Sequence, residues 1–283
     1  MISDRLVVVE PGRIEVERTD LDDNLEPWEV LVETEYSVIS AGTEGAGFTG
    51  LVRQMPFGDA GQYPRGTGYG NVGRLLRAGD DVTRVQPGDR VLSFSHHASA
   101  VKADTRRMVL PVSWDAPGEY LVFARMAGVS MSSLRSSSVQ PGDTVLVVGG
   151  GLVGNFAAQL FRLAGADVML ADLSDLRLQQ AGECGIERTV NPGRDDLEEA
   201  VKQWTDGDGA RIGVEAIGIS EVIAQTVMCT ARHGEVILLG SPRAPATFDV
   251  TPSLEVEGKV LAFPSSTVSI WLEDALVVEL AEG

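Results

Sequence analysis

Three glycines in the second half of the sequence have types and spacing that could hold a phosphate group. They are Gly149, Gly151 and Gly154, in the order G-x-G-x-x-G, between the apolar run 144–148 and the apolar stretch 152–164. In a strand, turn and helix of this kind, the first glycine permits a tight turn and the second lets the backbone approach a diphosphate. The third lets the helix pack closely on the strand. Free N–H groups at the helix N-terminus attract the anion, so the spacing predicts a dinucleotide-binding site.

An acidic residue follows where such sites bind the adenosine ribose. Asp172 comes directly after the next predicted strand, 167–171. A carboxylate there accepts hydrogen bonds from the ribose hydroxyls and repels an added 2′-phosphate, so we expect NAD to be preferred. Arg177 argues against a preference for NAD, because its side chain could turn toward a 2′-phosphate, so NADP stays possible. Backbone groups of Leu152 and Val153, in the first turn of the predicted helix, complete the expected diphosphate contact.

The elements around these residues alternate between strand and helix patterns. Short apolar runs separated by longer helical stretches are typical of a parallel, doubly wound Rossmann sheet. The predicted strands are 144–148, 167–171, 188–190, 212–216, 235–239 and 260–263, and the predicted helices are 152–164, 174–182, 195–204 and 221–231.

The chain before about Pro117 is predicted to be rich in β-structure. Its short β-branched or alternating runs are separated by Gly and Pro, which favours a small barrel or an irregular sandwich. A helix is predicted over 119–138. The sequence therefore indicates an α/β protein with one domain over 1–117 and a second over 118–283. The predicted strands of the first domain are 6–9, 30–36, 69–76, 90–94 and 98–103.

The charge balance excludes several classes of function. Asp and Glu total 41 against 23 Lys and Arg, a net charge of −18, which disfavours binding to nucleic acid. Only three of the basic residues are lysines, and this balance is typical of a salt-adapted protein. The sequence has no apolar run long enough for a membrane span and no secretory signal pattern, so we expect a cytoplasmic protein. Cys184 and Cys229 match no metal or redox spacing.

Several segments of the chain resemble segments of the medium-chain dehydrogenase/reductase superfamily, also called zinc-type alcohol dehydrogenase-like, and they occur in the same order as in that superfamily. The resemblance implies an N-terminal GroES-like β-domain, a Rossmann domain and an active site in the cleft between them. It also implies that backbone groups at Ala216, Gly218, Leu239, Gly240 and Ser241 border the nicotinamide. The segments are VGRLLRAGDDVTRVQPGDRV from Val72, QPGDTVLVVGGGLVG from Gln140, ADLSDLRLQQAGECGIERTVN from Ala171, VEAIG from Val214 and GEVILLGS from Gly234.

Two further segments, ISAGTE at 39–44 and FSHHA at 94–98, are similar to the subgroup related to bacteriochlorophyllide a dehydrogenase. Zinc members of the superfamily carry a Cys at the position of Ala41, a His-Glu pair at Thr67 and Gly68, and a Cys or Asp near Ala127. None of the residues present here ligates zinc, and the four-cysteine structural lobe is absent. We therefore expect a zinc-free protein.

The end of the chain also departs from the resemblance. Relatives continue past the segment similar to 272–282 and return to the N-terminal domain, whereas this sequence ends at Gly283. We therefore expect a fragment or a shortened variant. The predicted strand 260–263 would lie at a sheet edge, and an exposed apolar edge must be covered or paired, so we predict a homodimer through it.

Hydride transfer needs a group that stabilises the developing alkoxide or enolate. Without zinc, that role falls to a hydrogen-bond donor. Thr43 aligns with the proton-relaying Ser or Thr of zinc relatives and is the first candidate, although it could be a turn residue. Tyr69 and His97 are the others. The leading hypothesis is an alcohol dehydrogenase or carbonyl reductase acting on a small molecule. The alternatives are an enone or quinone reductase and a non-catalytic dinucleotide-binding protein.

Overall fold

The computed structural model describes residues 1–51, 62–241 and 260–262. The chain divides into two compact units, Met1–Met126 and Ala127–Gly283. One unit is built on antiparallel sheets and the other on a parallel sheet flanked by helices, which confirms the predicted α/β fold class. Among the described residues, no helix is both long enough and apolar enough to span a membrane.

The second unit contains a six-stranded parallel sheet in the order β11-β10-β9-β12-β13-β14. The first strand of the unit lies in the middle and the chain winds outward in both directions, as in a Rossmann fold. Strands β9 (Thr144–Val148), β10 (Asp167–Ala171), β11 (Arg188–Val190), β12 (Ala210–Glu215), β13 (Thr230–Leu238) and β14 (Val260–Ala262) alternate with helices α4 (Leu152–Leu163), α5 (Asp175–Glu183), α6 (Leu197–Trp204) and α7 (Ser220–Cys229).

The central strand β9 is apolar from Val145 to Val148 because helices cover both faces of the sheet. Val145 and Val147 pack in one core cluster with Phe161 of α4. Leu146 and Val148, which alternate with them, pack in a second cluster with Leu197 and Val201 of α6. The period of two along a strand thus divides one apolar run between two cores.

The first unit contains two antiparallel sheets. The five-stranded sheet has the order β7-β3-β5-β6-β8 and the three-stranded sheet has the order β2-β1-β4. Their strands are β1 (Ile2–Glu10), β2 (Arg13–Asp20), β3 (Glu29–Ser37), β4 (Arg65–Gly66), β5 (Asn71–Ala78), β6 (Arg90–Ser93), β7 (Ala100–Asp104) and β8 (Val109–Pro111).

Two features of the first unit differ from the sequence-based expectation. Helix α1 (Ala41–Thr49) was not predicted, since its sequence AGTEGAGFT holds three glycines, each costing about 1 kcal/mol of helix propensity. The single helix predicted over 119–138 is wrong, because the structure has α2 (Gly118–Leu121) and α3 (Ala124–Ser136). At the junction of the two helices, backbone N–H groups donate to the carbonyl three residues earlier, as from Met126 N–H to the Phe123 carbonyl, and this tightens the turn.

Strand β2 was also not predicted, because it is an exposed edge strand in which the charged Glu15 separates Ile14 from Val16. At the other end of the chain, β14 lies at the end of the parallel sheet, as predicted for 260–263. The homodimer through it stays a prediction. Phe263, the segment 272–282 and residues 52–61 of the loop over 45–63 lie outside the described residues.

Candidate functional site

The turn between β9 and α4 has the backbone that the glycine spacing predicts. Gly149 has a φ of +106°, which only glycine adopts readily. A Cβ on Gly154 would lie 1.8 Å from the carbonyl oxygen of Gly149, so no side chain fits there. The first and third glycines are therefore needed by the fold itself.

Gly151 differs, because none of the described residues occupies the space that a side chain at this position would take. It is the N-cap of α4, with extended backbone and no side chain capping the helix, and a Cβ built on it meets nothing within 4 Å. The first N–H groups of a helix have no intrahelical acceptor. The N–H groups of Leu152, Val153 and Gly154 therefore lie beside open space, and this backbone fits a diphosphate.

Asp172 follows β10 and faces the same turn. Its Oδ2 accepts a hydrogen bond from Gly150 N–H at 2.7 Å, and its Oδ1 accepts one from Ser174 N–H at 2.8 Å. Arg177 lies at the edge of this carboxylate, with Nη1 3.3 Å from Oδ2. The side chain of Asp172 is 5 % exposed and that of Arg177 is 54 % exposed, so the buried carboxylate is oriented by backbone and the arginine lies in solvent.

The residues expected to border the nicotinamide meet at the carboxyl ends of β12 and β13. The carbonyl of Glu215 accepts from Leu239 N–H at 2.8 Å and from Gly240 N–H at 2.7 Å. A Cβ on Gly218 would lie 2.6 Å from the Ser241 carbonyl oxygen, so the two turns are in close contact.

These turns also meet the glycine-rich turn. A Cβ on Gly149 would lie 2.7 Å from Ile217, and one on Gly154 would lie 3.2 Å from the Cβ of Ala216. The structure therefore brings the predicted residues of the second unit together at one edge of the sheet, where ligands of open α/β sheets bind.

Glu215 is a buried carboxylate of this edge that the sequence did not reveal. Its Oε1 accepts from the N–H groups of Ile217 and Gly218, both at 2.7 Å, while its buried Oε2 has no partner among the described residues. Burial raises the pKa of Glu215, and the backbone N–H donors offset this only in part. One side chain thus fixes the turn that would face the nicotinamide.

In the first unit, His97 and Glu44 form a buried pair. Nε2 of His97 lies 2.7 Å from Oε2 of Glu44, and Nδ1 of His97 lies 2.8 Å from Oγ of Ser37. The hydroxyl of Thr67 donates to the same Oε2 of Glu44 at 2.8 Å, and Ser40 N–H donates to Oε1 at 2.7 Å. The side chains of His97 and Glu44 are 5 % and 11 % exposed.

Glu44 is held as a carboxylate by its neighbours. Burial alone raises its pKa, but hydrogen bonds from His97, Ser40 and Thr67, together with the electrostatic effect of the His97 ring, lower the pKa below the ordinary value. No sequence pattern indicated this role, because Glu44 lies in the first turn of α1, a helix that was not predicted.

The other two catalytic candidates lie near the same helix end. The hydroxyl of Tyr69 donates a short hydrogen bond to Oγ of Ser40, the N-cap of α1. Thr43 is exposed in the first turn of α1 and forms no side-chain hydrogen bond to any residue that the structure describes. The structure therefore brings Tyr69 and His97 to one helix N-terminus, whereas Thr43 contacts neither of them through a hydrogen bond.

The positions of the zinc ligands in relatives offer no ligand set here. Ala41 and Gly68 have no donor side chain, and the Thr67 hydroxyl is already bonded to Glu44. Over residues 1–51 and 62–241, no group of three or more His, Cys, Asp or Glu side chains could hold a metal ion. The turn at Gly151 and the carboxylate of Asp172 thus fit a dinucleotide, and the expectation of a zinc-free protein stays a prediction.

The chain is similar in sequence to known dehydrogenases. Residues 153–275 match the family described as zinc-binding dehydrogenase. L-threonine 3-dehydrogenase from Symbiobacterium thermophilum is 32% identical over 119 residues, which cover 42% of this chain and 34% of that enzyme. L-threonine 3-dehydrogenase from Anaeromyxobacter dehalogenans is 28% identical over 217 residues, which cover 66% of this chain and 62% of that enzyme. The chain thus covers less than two thirds of either relative.

The fold is shared with solved structures. A protein from Sinorhizobium meliloti 1021, described as a zinc-binding dehydrogenase and bound to NADP, superposes with a TM-score of 0.81 at 21% identity. The match covers 92% of this chain and 84% of that one. At this identity the likeness establishes a common architecture.

Proposed function

We propose that the protein is a medium-chain dehydrogenase/reductase of the zinc-binding dehydrogenase family, which residues 153–275 match, and that it is an NAD(P)-dependent oxidoreductase. It transfers a hydride between nicotinamide and a small alcohol or carbonyl substrate. The observation that carries the proposal is the open, uncapped N-terminus of α4 beside Gly151.

The geometry of the turn supports a bound diphosphate in particular. In a chain of net charge −18, the long-range field opposes an anion, so a local donor site is needed. Gly151 leaves the backbone N–H groups accessible, and the turn holds no side chain that would occupy the anion's place. Such N–H groups at a helix N-terminus attract phosphate through both hydrogen bonds and the helix dipole.

We propose NAD as the preferred cofactor, on the position of Asp172. Its carboxylate is fixed by Gly150 and Ser174 at the end of β10 and keeps lone pairs for ribose hydroxyls. A 2′-phosphate would bring negative charge to this carboxylate. The exposed Arg177, which already contacts this carboxylate, could bind the 2′-phosphate, so NADP stays a possible cofactor.

We further propose that the reaction is zinc-independent. The bound nicotinamide supplies or accepts the hydride, and the protein supplies position and proton transfer. Tyr69 is the donor that the geometry favours, because its hydroxyl is hydrogen-bonded to Ser40 and lies in a partly exposed position. His97 is buried in its bonds to Ser37 and Glu44 and serves to orient Glu44 and α1. Thr43 stays a candidate because its hydroxyl is exposed.

The test is consumption of NADH and NADPH, followed by absorbance, with a panel of saturated ketones and conjugated enones. Oxidation with saturated ketones supports the carbonyl reductase. Oxidation with conjugated substrates alone shows an enone or quinone reductase, the alternative that shares the same hydride chemistry. Cofactor binding with no turnover on any substrate contradicts catalysis and leaves a dinucleotide-binding protein.

A further inference from the structure

Arg125, in the first turn of α3, is held against two aromatic rings of the first unit. Its guanidinium carbon lies 4.8 Å from the ring centroid of Tyr69 and 5.3 Å from that of Phe94. Its Nε donates to the carbonyl oxygen of Tyr69 at 3.3 Å. The two rings lie next to each other, with centroids 5.8 Å apart. Backbone and rings together therefore fix the position of the positive charge.

This charge has no partner of opposite sign in the described parts of the chain. Several other arginines of the unit pair with carboxylates, as Arg74 and Arg90 do with Glu35 and Arg106 does with Asp104. None of the described carboxylates pairs with Arg125, and no described acceptor is bonded to either of its Nη atoms. An unpaired, half-buried cation is unusual in a chain with 41 acidic residues.

The environment of Arg125 leaves it charged and accessible. Burial lowers the pKa of the guanidinium, but arginine stays protonated in proteins. Phe94 is 41% exposed and Arg125 is only partly buried, so neither side chain is enclosed in the core of the unit. Aromatic rings beside a guanidinium remove competing water and strengthen its interaction with an anion.

We propose that Arg125 binds a carboxylate group of the substrate and thereby selects oxo acids or hydroxy acids over neutral ketones and alcohols. The fork of two N–H donors matches the two oxygens of a carboxylate. A single guanidinium balances one negative charge, which favours a carboxylate over a dianionic phosphate. The identification of the ligand as a substrate rests on the proposed oxidoreductase function, whereas the anion site itself rests on the geometry of Arg125 alone.

The experiment is calorimetric titration of the full chain with acetate, oxalate, pyruvate, inorganic phosphate and butane-2,3-dione, a neutral counterpart of pyruvate. The variants are Arg125→Met, Arg125→Lys and the control Arg84→Met, which removes an exposed arginine with no ion pair among the described residues. We expect at least one carboxylate to bind the wild type, with affinity lowered about tenfold or more by Arg125→Met, which is roughly 1.4 kcal/mol. Arg125→Lys lowers it less, and Arg84→Met leaves it unchanged.

Three results overturn the inference. In the first, the wild type binds none of the three carboxylates. In the second, Arg125→Met has the wild-type melting temperature and binds carboxylates as tightly as the wild type does. In the third, the wild type binds phosphate more tightly than every carboxylate. NADH titration of the same samples separates this failure from failure of the proposed function. If the protein binds NADH but Arg125 does not affect carboxylate binding, the proposed function stands and the anion site is refuted. If the protein binds carboxylate through Arg125 but does not bind NADH, the anion site stands and the proposed function fails.

Discussion

The imidazole of His97 and the carboxylate of Glu44 are joined at 2.7 Å, and both side chains are almost completely buried. Glu44 also accepts hydrogen bonds from Ser40 and Thr67, so one carboxylate joins α1 to two loops of the β-sheets. Such a pair is more a structural brace than a reactive group, because its polar atoms already have partners.

We predict that Glu44→Ala destabilises the protein by about 2–4 kcal/mol, since three donors then lose their acceptor in a buried site. The measurement is urea unfolding of the full chain at neutral pH. The control is Glu17→Ala, whose carboxylate pairs with Arg5 on the surface with both side chains 47% exposed. That change is expected to cost at most about 1 kcal/mol. Equal effects of the two substitutions would contradict the brace.

The same site predicts a loss of stability in acid. Because the folded pKa of Glu44 is lowered, its contribution is fully present above the ordinary glutamate pKa of about 4.3 and disappears as the pH falls through the folded value. The free energy of unfolding of wild type minus that of Glu44→Gln should therefore decrease below about pH 4.3. A difference that stays constant between neutral pH and acid would show that Glu44 has no lowered pKa.

Glu215 predicts the opposite slope. Its folded pKa is raised, so its stabilising contribution is fully present below the ordinary glutamate pKa and is lost as the pH rises from there through the folded value. Relative to Glu215→Gln, the wild type should therefore lose stability as the pH rises from acid to neutral. Chemical unfolding of both proteins across this range measures the difference, and a constant difference would argue that Glu215 ionises normally.

Asp172 predicts the cofactor preference. Asp172→Asn removes the negative charge opposite a 2′-phosphate, so the ratio of NADPH affinity to NADH affinity should rise about tenfold. The control is Asp175→Asn, which removes a 63% exposed carboxylate at the start of α5. Fluorescence titrations with both cofactors give the ratio. If the ratio is the same in wild type and Asp172→Asn, the carboxylate does not set the preference.

The second unit could be predicted from sequence almost strand by strand. The predicted strands 144–148 and 167–171 coincide with β9 and β10, because the last four residues of each are apolar and buried, as a strand covered on both faces requires. The first unit was less predictable, since β2 is an exposed edge and α1 is rich in glycine. Its elements are set by tertiary contacts, such as the bond from Glu44 to Thr67, rather than by local pattern.

The candidate site shows the same contrast. The glycine spacing and Asp172 could be identified because their roles are encoded within one strand, turn and helix. Glu44 and Arg125 could not, because their partners are brought together by folding, as when Arg125 meets Tyr69 across 56 positions of sequence. Glu215 bonds to nearby residues, but its burial could not be predicted. Residue type alone does not distinguish such a buried or stacked charge from a surface one.

The central claim is that the backbone at Gly151 binds the diphosphate of a nicotinamide dinucleotide. The most direct measurement is a fluorescence titration of the full chain with NADH, comparing wild type with Gly151→Ala and the control Gly182→Ala. A Cβ meets nothing within 4 Å at either position, so both variants should fold normally. We predict that wild type and Gly182→Ala bind NADH alike, and that Gly151→Ala binds about tenfold or more weakly because its methyl group occupies the path of the diphosphate. Equal binding by Gly151→Ala, or no binding by folded wild type, would contradict the claim.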